Sequence, residues 1–141
     1  MKTHEIEEIL VGYGKRFLGV YPRDLAPELK KGTGMIINTD PSEEPGEHWV
    51  AIYNDCDFNG VYFDSFGLPP LHEEILKVLN NSCNSWEYND IQIQNLRSIR
   101  CGEYSIIFLM VMFENHSLKS FQNLFTKNSF VNESLIKIYS I

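Results

Sequence analysis

Near the start of the chain, apolar residues fall at Ile6, Ile9, Leu10 and Tyr13, a helical spacing with acids early in the run. This predicts a helix over His4–Tyr13, ended by Gly12 and Gly14. Phe17–Pro22 reads as an extended or turning segment. The β-branched run in Gly34–Asn38 lies between Gly32/Gly34 and Asp40-Pro41 and predicts a short buried strand. Thr39–Glu47 follows as a loop rich in Pro, Ser and Glu. His48–Tyr53 and Gly60–Asp64 are apolar on both faces, the pattern of strands covered on two sides by other layers. After Pro69-Pro70, Leu71, Ile75, Val78 and Leu79 form one apolar stripe and predict a helix over Leu71–Asn80. Trp86–Leu96 alternates, which predicts a strand around Asn89–Gln94. A polar loop, Asn95–Arg100, leads to Cys101-Gly102 and an almost wholly apolar segment ending at Phe113. A helix apolar all round belongs in the middle of a domain. A last helix is expected within Leu118–Tyr139.

The 141 residues fit one compact domain, with no internal repeat, low-complexity stretch or dividing linker. At 43% hydrophobic and 22% charged, the composition is that of a folded chain. The net charge of −7 and the scattered Lys and Arg argue against a protein built to grip a phosphate backbone. Three cysteines, Cys56, Cys83 and Cys101, with no CxxC spacing, give neither a disulfide framework nor a zinc site. A reducing compartment is the simplest setting. No basic-then-apolar leader is visible, and the longest apolar run, Ile106–Phe113, is too short to span a bilayer. A soluble, intracellular protein is expected.

The candidate chemistry begins with the two central strands, joined by the turn-rich Asn54–Asn59. An antiparallel hairpin centred near Cys56 sets His48 directly across from Asp64 on the same face. A carboxylate on one ring nitrogen fixes the tautomer and orientation of a histidine and stabilises the imidazolium, as a general base requires. A purely structural His–Asp hydrogen bond accounts for the pair equally well. Cys101 begins the apolar helix, where the dipole and the unpaired first-turn N–H groups favour a thiolate. On position alone, a buried structural cysteine is slightly the more frequent reading. Gly102 leaves room for a substrate carbonyl to approach the backbone. Acyl chemistry also needs an oxyanion donor. Gln94, seven residues before Cys101, is the candidate, with Gln92 on the same face as the fallback. On position alone, each is more often simply a polar strand-end residue. Cys56 and Cys83 lie in loops and read as inert thiols. His4, His72 and His116 have no acid partner at a defensible spacing.

As a set, these residues resemble the adenovirus endopeptidase (adenain) family of cysteine proteases. The matching phrases are Phe17-Leu18-Gly19-Val20-Tyr21, Asn38-Thr39, Gly46-Glu47-His48-Trp49-Val50-Ala51, Tyr62-Phe63-Asp64-Ser65-Phe66-Gly67, Gln94 and Cys101-Gly102. Proteases of Polinton/Maverick elements and virophages are similar too, including the Pro41–His48 loop. The likeness runs from about Phe17 to Phe113, and its weight comes from separated motifs falling in order. It implies an α+β fold with a mixed central sheet and a buried helix carrying the nucleophile at its N-terminus. It implies a viral enzyme that cleaves capsid or other structural precursors during virion maturation, often at Gly-Gly or Gly-X sites, in the virion or the infected cell.

Carried over position by position, Cys101 is the nucleophile, His48 the base, Asp64 the orienter and Gln94 the oxyanion donor. Trp49 packs beside the histidine, and Gly102 lines the substrate path. The acid is usually Glu in the adenovirus branch; Asp here matches the SUMO-protease branch of the same clan. No metal or cofactor is implied. Adenovirus proteases bind an activating viral peptide partly through a cysteine ahead of the nucleophile, and Cys83 lies in roughly that place. They also exploit DNA, which the acidic charge here does not favour. The chain lacks their longer C-terminal part. The rival readings are a SUMO- or ubiquitin-like isopeptidase of the same clan and a catalytically silent binding module on this fold.

Overall fold

The computed structural model describes residues 1–43 and 48–140. Parts of the Thr39–Glu47 loop and of the Gly46-Glu47-His48 phrase therefore lie outside the described residues. The elements run α1 (Thr3–Leu10), β1 (Phe17–Pro22), β2 (Thr33–Asn38), β3 (Trp49–Asn54), β4 (Asn59–Phe63), α2 (Glu73–Ser82), β5 (Ser85–Tyr88), α3 (Cys101–Phe113), α4 (Leu118–Gln122) and α5 (Ser129–Tyr139). The strands form one mixed sheet in sequential order, β1-β2-β3-β4-β5. Its two outer pairs, β1–β2 and β4–β5, are parallel, and its two inner pairs are antiparallel. The architecture is α+β.

The alternation of the central strands explains the layers. Trp49, Ala51, Tyr53, Val61 and Phe63 pack with Ile36 against α3, α1 and α4. The interleaved Val50, Ile52 and Tyr62 join Met35 and Ile37 against Ile75, Val78 and Leu79 of α2. Both faces are thus covered, which is why these strands read as unbroken apolar runs. The apolar α3 is enclosed between the sheet and the helices α1, α4 and α5, with Tyr104, Phe108 and Leu109 fully buried. The Phe63 and Phe108 rings stack at 4.8 Å, and Phe121 meets both edge-on at 5.0 and 5.5 Å. This cluster locks α3 to the end of β4.

Three expectations are corrected and one is refined. The first helix ends at Leu10 and continues as a 3₁₀ turn over Val11–Arg16, broken at Gly14 with φ of 61°. Leu71 is exposed and precedes α2, which starts at Glu73 because the chain is still extended at His72. The fifth strand is Ser85–Tyr88, not Asn89–Gln94. Asn89 ends it: its N–H reaches the Tyr62 carbonyl at 3.1 Å, while its buried side-chain amide donates to the carbonyls of Asp64 and Ile91. A buried amide that captures backbone carbonyls competes with strand pairing. Finally, the C-terminal segment is two helices. Asn128 caps the second by accepting from the N–H groups of Phe130 and Val131.

Candidate active site

The hairpin carries His48 and Asp64 on the residues just outside its paired strands, at one end of the sheet. Its centre is Asp57 rather than Cys56, since Asn54 pairs with Gly60 and Ala51 with Phe63. The Asp55 carboxylate accepts from the N–H groups of Asp57 and Asn59, and Phe58 adopts a left-handed φ of 60°. A turn of this kind with one left-handed residue makes the loop two residues longer than a hairpin centred on Cys56 and moves the register by two. By continuation of this register, His48 falls opposite Phe66 and only diagonal to Asp64. Parity is preserved, so the pair still shares a face, and diagonal neighbours lie within reach of long side chains. His48 Nε2 and Asp64 Oδ1 are 3.0 Å apart. The Phe66 ring stacks on the imidazole at 5.0 Å. Asp64 Oδ1 also accepts from the Phe66 N–H at 2.8 Å, which fixes the carboxylate.

With Nε2 engaged by Asp64, the other ring nitrogen is left for Cys101, and the imidazole and the thiol lie close enough that each shifts the proton affinity of the other. Cys101 is the first residue of α3 and is 7% exposed. The Trp49 N–H points at its sulfur from 3.4 Å. Burial opposes a charge on His48, but the hydrogen bonds to Asp64 and Cys101 and their negative charge outweigh it, holding the imidazole proton up to about 9. Burial likewise raises the thiol, and the His48 hydrogen bond, then the Trp49 N–H, bring it below its usual value. The two directions agree: each partner favours the charged form of the other. Such a pair can supply a thiolate nucleophile and an imidazolium acid near neutral pH. Cys83, by contrast, is raised by burial.

Gln94 is fully buried. Its Nε2 donates to the Ser98 carbonyl at 2.9 Å, and its Oε1 accepts from the Ser65 hydroxyl. Gln92 is exposed and donates to the Gln94 carbonyl, so it braces the same loop. The Trp49 indole is turned to the Met1 carbonyl, 3.1 Å away. A Cβ at Gly102 would stand 3.1 Å from that indole and 3.2 Å from Met1, so the room above this glycine is taken by packing. Sequence reasoning missed Ser65, Phe66 and the Trp49 backbone N–H. Only the adjacency of Ser65 and Phe66 to Asp64 could have signalled the first two. Among the described residues, no group of three or more His, Cys, Asp or Glu could hold a metal ion, and no helix is long and apolar enough to cross a membrane.

No family model matches the chain. The cysteine protease S273R of African swine fever virus (isolate Tick/Malawi/Lil 20-1/1983) is 29% identical over 102 residues, covering 62% of this chain and 36% of that protein. The protease of human adenovirus B serotype 3 is 30% identical over 117 residues, covering 70% of this chain and 55% of that protein. The chain thus spans about a third to about half of the curated relatives it matches. The crystal structure of the ASFV pS273R protease superposes with a TM-score of 0.65 at 17% identity, covering 99% of this chain and 65% of that one, a likeness of fold. With these relationships and a shared fold, the chain belongs to the adenain-like cysteine protease family.

Proposed function

We propose that this chain is a viral thiol endopeptidase that cleaves structural precursor proteins. The observation that carries the reading is His48, held by Asp64 at 3.0 Å, with the Cys101 thiol at the head of α3 beside the same imidazole and coupled to it electrostatically. His48 takes the thiol proton, and the thiolate attacks the carbonyl carbon of the scissile peptide. Negative charge moves to the carbonyl oxygen, where the Gln94 amide and backbone N–H groups of the first turn of α3 stabilise it. As the tetrahedral intermediate collapses, the C–N bond breaks and His48 returns its proton to the leaving amine. A water molecule, deprotonated by His48, then attacks the thioester. The carboxylate product leaves and the thiol is restored. Asp64 holds the imidazole in the tautomer that serves both transfers.

The proteins it resembles are viral proteases, which supports viral precursors as the substrate class. Incubation with candidate capsid precursors, followed by N-terminal sequencing of the products, tests the reading. Cleavage at glycine-containing sites that disappears in Cys101→Ala is expected. Cleavage that persists in Cys101→Ala defeats the assignment, and turnover of ubiquitin-like conjugates in place of viral precursors redirects it to an isopeptidase.

A further inference from the structure

Ser65 follows Asp64 and is fully buried, yet its carbonyl and its hydroxyl both face the Gln94 loop. Its carbonyl accepts from the N–H groups of Ile93 and Gln94, at 2.9 and 3.0 Å. Its hydroxyl donates to Gln94 Oε1. A primary amide has two N–H donors and one carbonyl acceptor. In Gln94 the acceptor is met by Ser65 and one donor by the Ser98 carbonyl. Among the described residues no acceptor takes the second N–H. A flipped amide would set its oxygen against the Ser98 carbonyl oxygen, two acceptors face to face. Without the serine hydroxyl, Oε1 would be a buried acceptor left unsatisfied, and the amide would be driven to turn in search of a donor.

We propose that Ser65 is a positioning residue for oxyanion stabilisation, holding the Gln94 amide in the single orientation that leaves an N–H for the developing charge. This rests on the protease reading above. It also ties two arms of the site to one tripeptide. Asp64 steers the imidazole, Phe66 stacks on it, and Ser65 between them sets the oxyanion donor. A displacement of the β4 end would therefore disturb base and donor together.

The test is a double-mutant cycle on Ser65→Ala and Gln94→Ala, read as kcat and KM on a peptidyl-Gly-Gly aminomethylcoumarin substrate. Loss of an oxyanion donor costs about 100-fold or more in kcat, and loss of its orientation by one hydrogen bond about tenfold. Ser65→Ala is expected to lower kcat about tenfold with KM within about twofold, and to cost nothing further in a Gln94→Ala background. The same tenfold loss in both backgrounds would mean that the serine acts on the fold and not through Gln94, and would overturn the proposal. A slow Gln94→Ala beside a fully active Ser65→Ala would overturn it while leaving the protease reading intact. A fully active Gln94→Ala would remove the oxyanion assignment and the proposal with it. Should Ser65→Ala fail to fold, the unaltered protein decides by NMR. The Gln94 side-chain N–H₂ signals should exchange with solvent far more slowly than those of exposed Gln92; equal exchange would overturn the proposal.

Discussion

Replacing Asp64 by Asn removes the carboxylate charge from His48 while keeping the size of the side chain. The imidazole is held up to about 9 against an ordinary 6.5, with burial pulling the other way. That difference corresponds to about 3 kcal/mol in favour of the imidazolium. Asp64 is the first of the two partners that supply it and Cys101 the second. If the value fell all the way to 6.5, the protonated fraction near pH 8 would drop from about 0.9 to about 0.03, a loss of about 30-fold. Near pH 6 the two proteins would differ by less than about twofold from this cause. Cys101 retains part of the effect, so 30-fold is the upper bound of the charge contribution, and lost orientation adds a pH-independent factor. The assay is the pH profile of kcat/KM. Wild type should lose activity on an alkaline limb near 9, and Asp64→Asn should carry that limb well down toward 6.5. Stability follows with the same sign. A group raised on folding stabilises fully below 6.5 and loses that stabilisation as the pH rises through about 9. The variant should therefore be most destabilised at acid pH and approach wild type above 9. An alkaline limb that stays in place in Asp64→Asn would mean that the carboxylate does not hold the imidazole proton.

Two further substitutions probe how the fold holds the site. Phe63→Ala removes a ring that stacks on Phe108 and meets Phe121 edge-on, so a loss of about 3–5 kcal/mol is expected in denaturant unfolding, together with reduced activity as α3 loosens from β4. Gly67 has φ of 79°, and a Cβ there would lie 2.7 Å from the backbone of Ile91 and Gln92. Gly67→Ala should cost about 1–3 kcal/mol in strain and lower kcat by shifting the loop that carries Gln94, with melting temperature and kinetics as the readouts.

Much of this arrangement was legible because single residues carried strong local signals. The apolar runs of β2, β3 and β4 and the wholly apolar α3 announced a two-sided sheet with a buried helix, and placed Cys101 at the helix head. The His48–Asp64 pairing survived an error in register because a shift of two residues leaves both side chains on the same face. A shift of one would have separated them. The fifth strand was misplaced for a different reason. Ile91 and Ile93 alternate as Trp86 and Tyr88 do, although one position out of phase, and nothing else local reveals that Asn89 folds inward to bind the Asp64 carbonyl. The C-terminal break was likewise hidden in tertiary bonding. Asn132 sits mid-helix yet is fully buried, reaching the Ile93 and Thr126 carbonyls. Ser65 escaped notice because a small polar residue after a strand reads as a turn until its partner across the fold is seen.

The proposed chemistry needs a thiolate made available by a steered imidazole, and competition among the three cysteines of the unaltered protein reads this out without a substrate. Brief iodoacetamide treatment near pH 6, with the sites mapped by peptide mass spectrometry, should modify Cys101 first although it is only 7% exposed, while exposed Cys56 lags. Modification that follows exposure instead, with Cys56 ahead and Cys101 untouched, would contradict it.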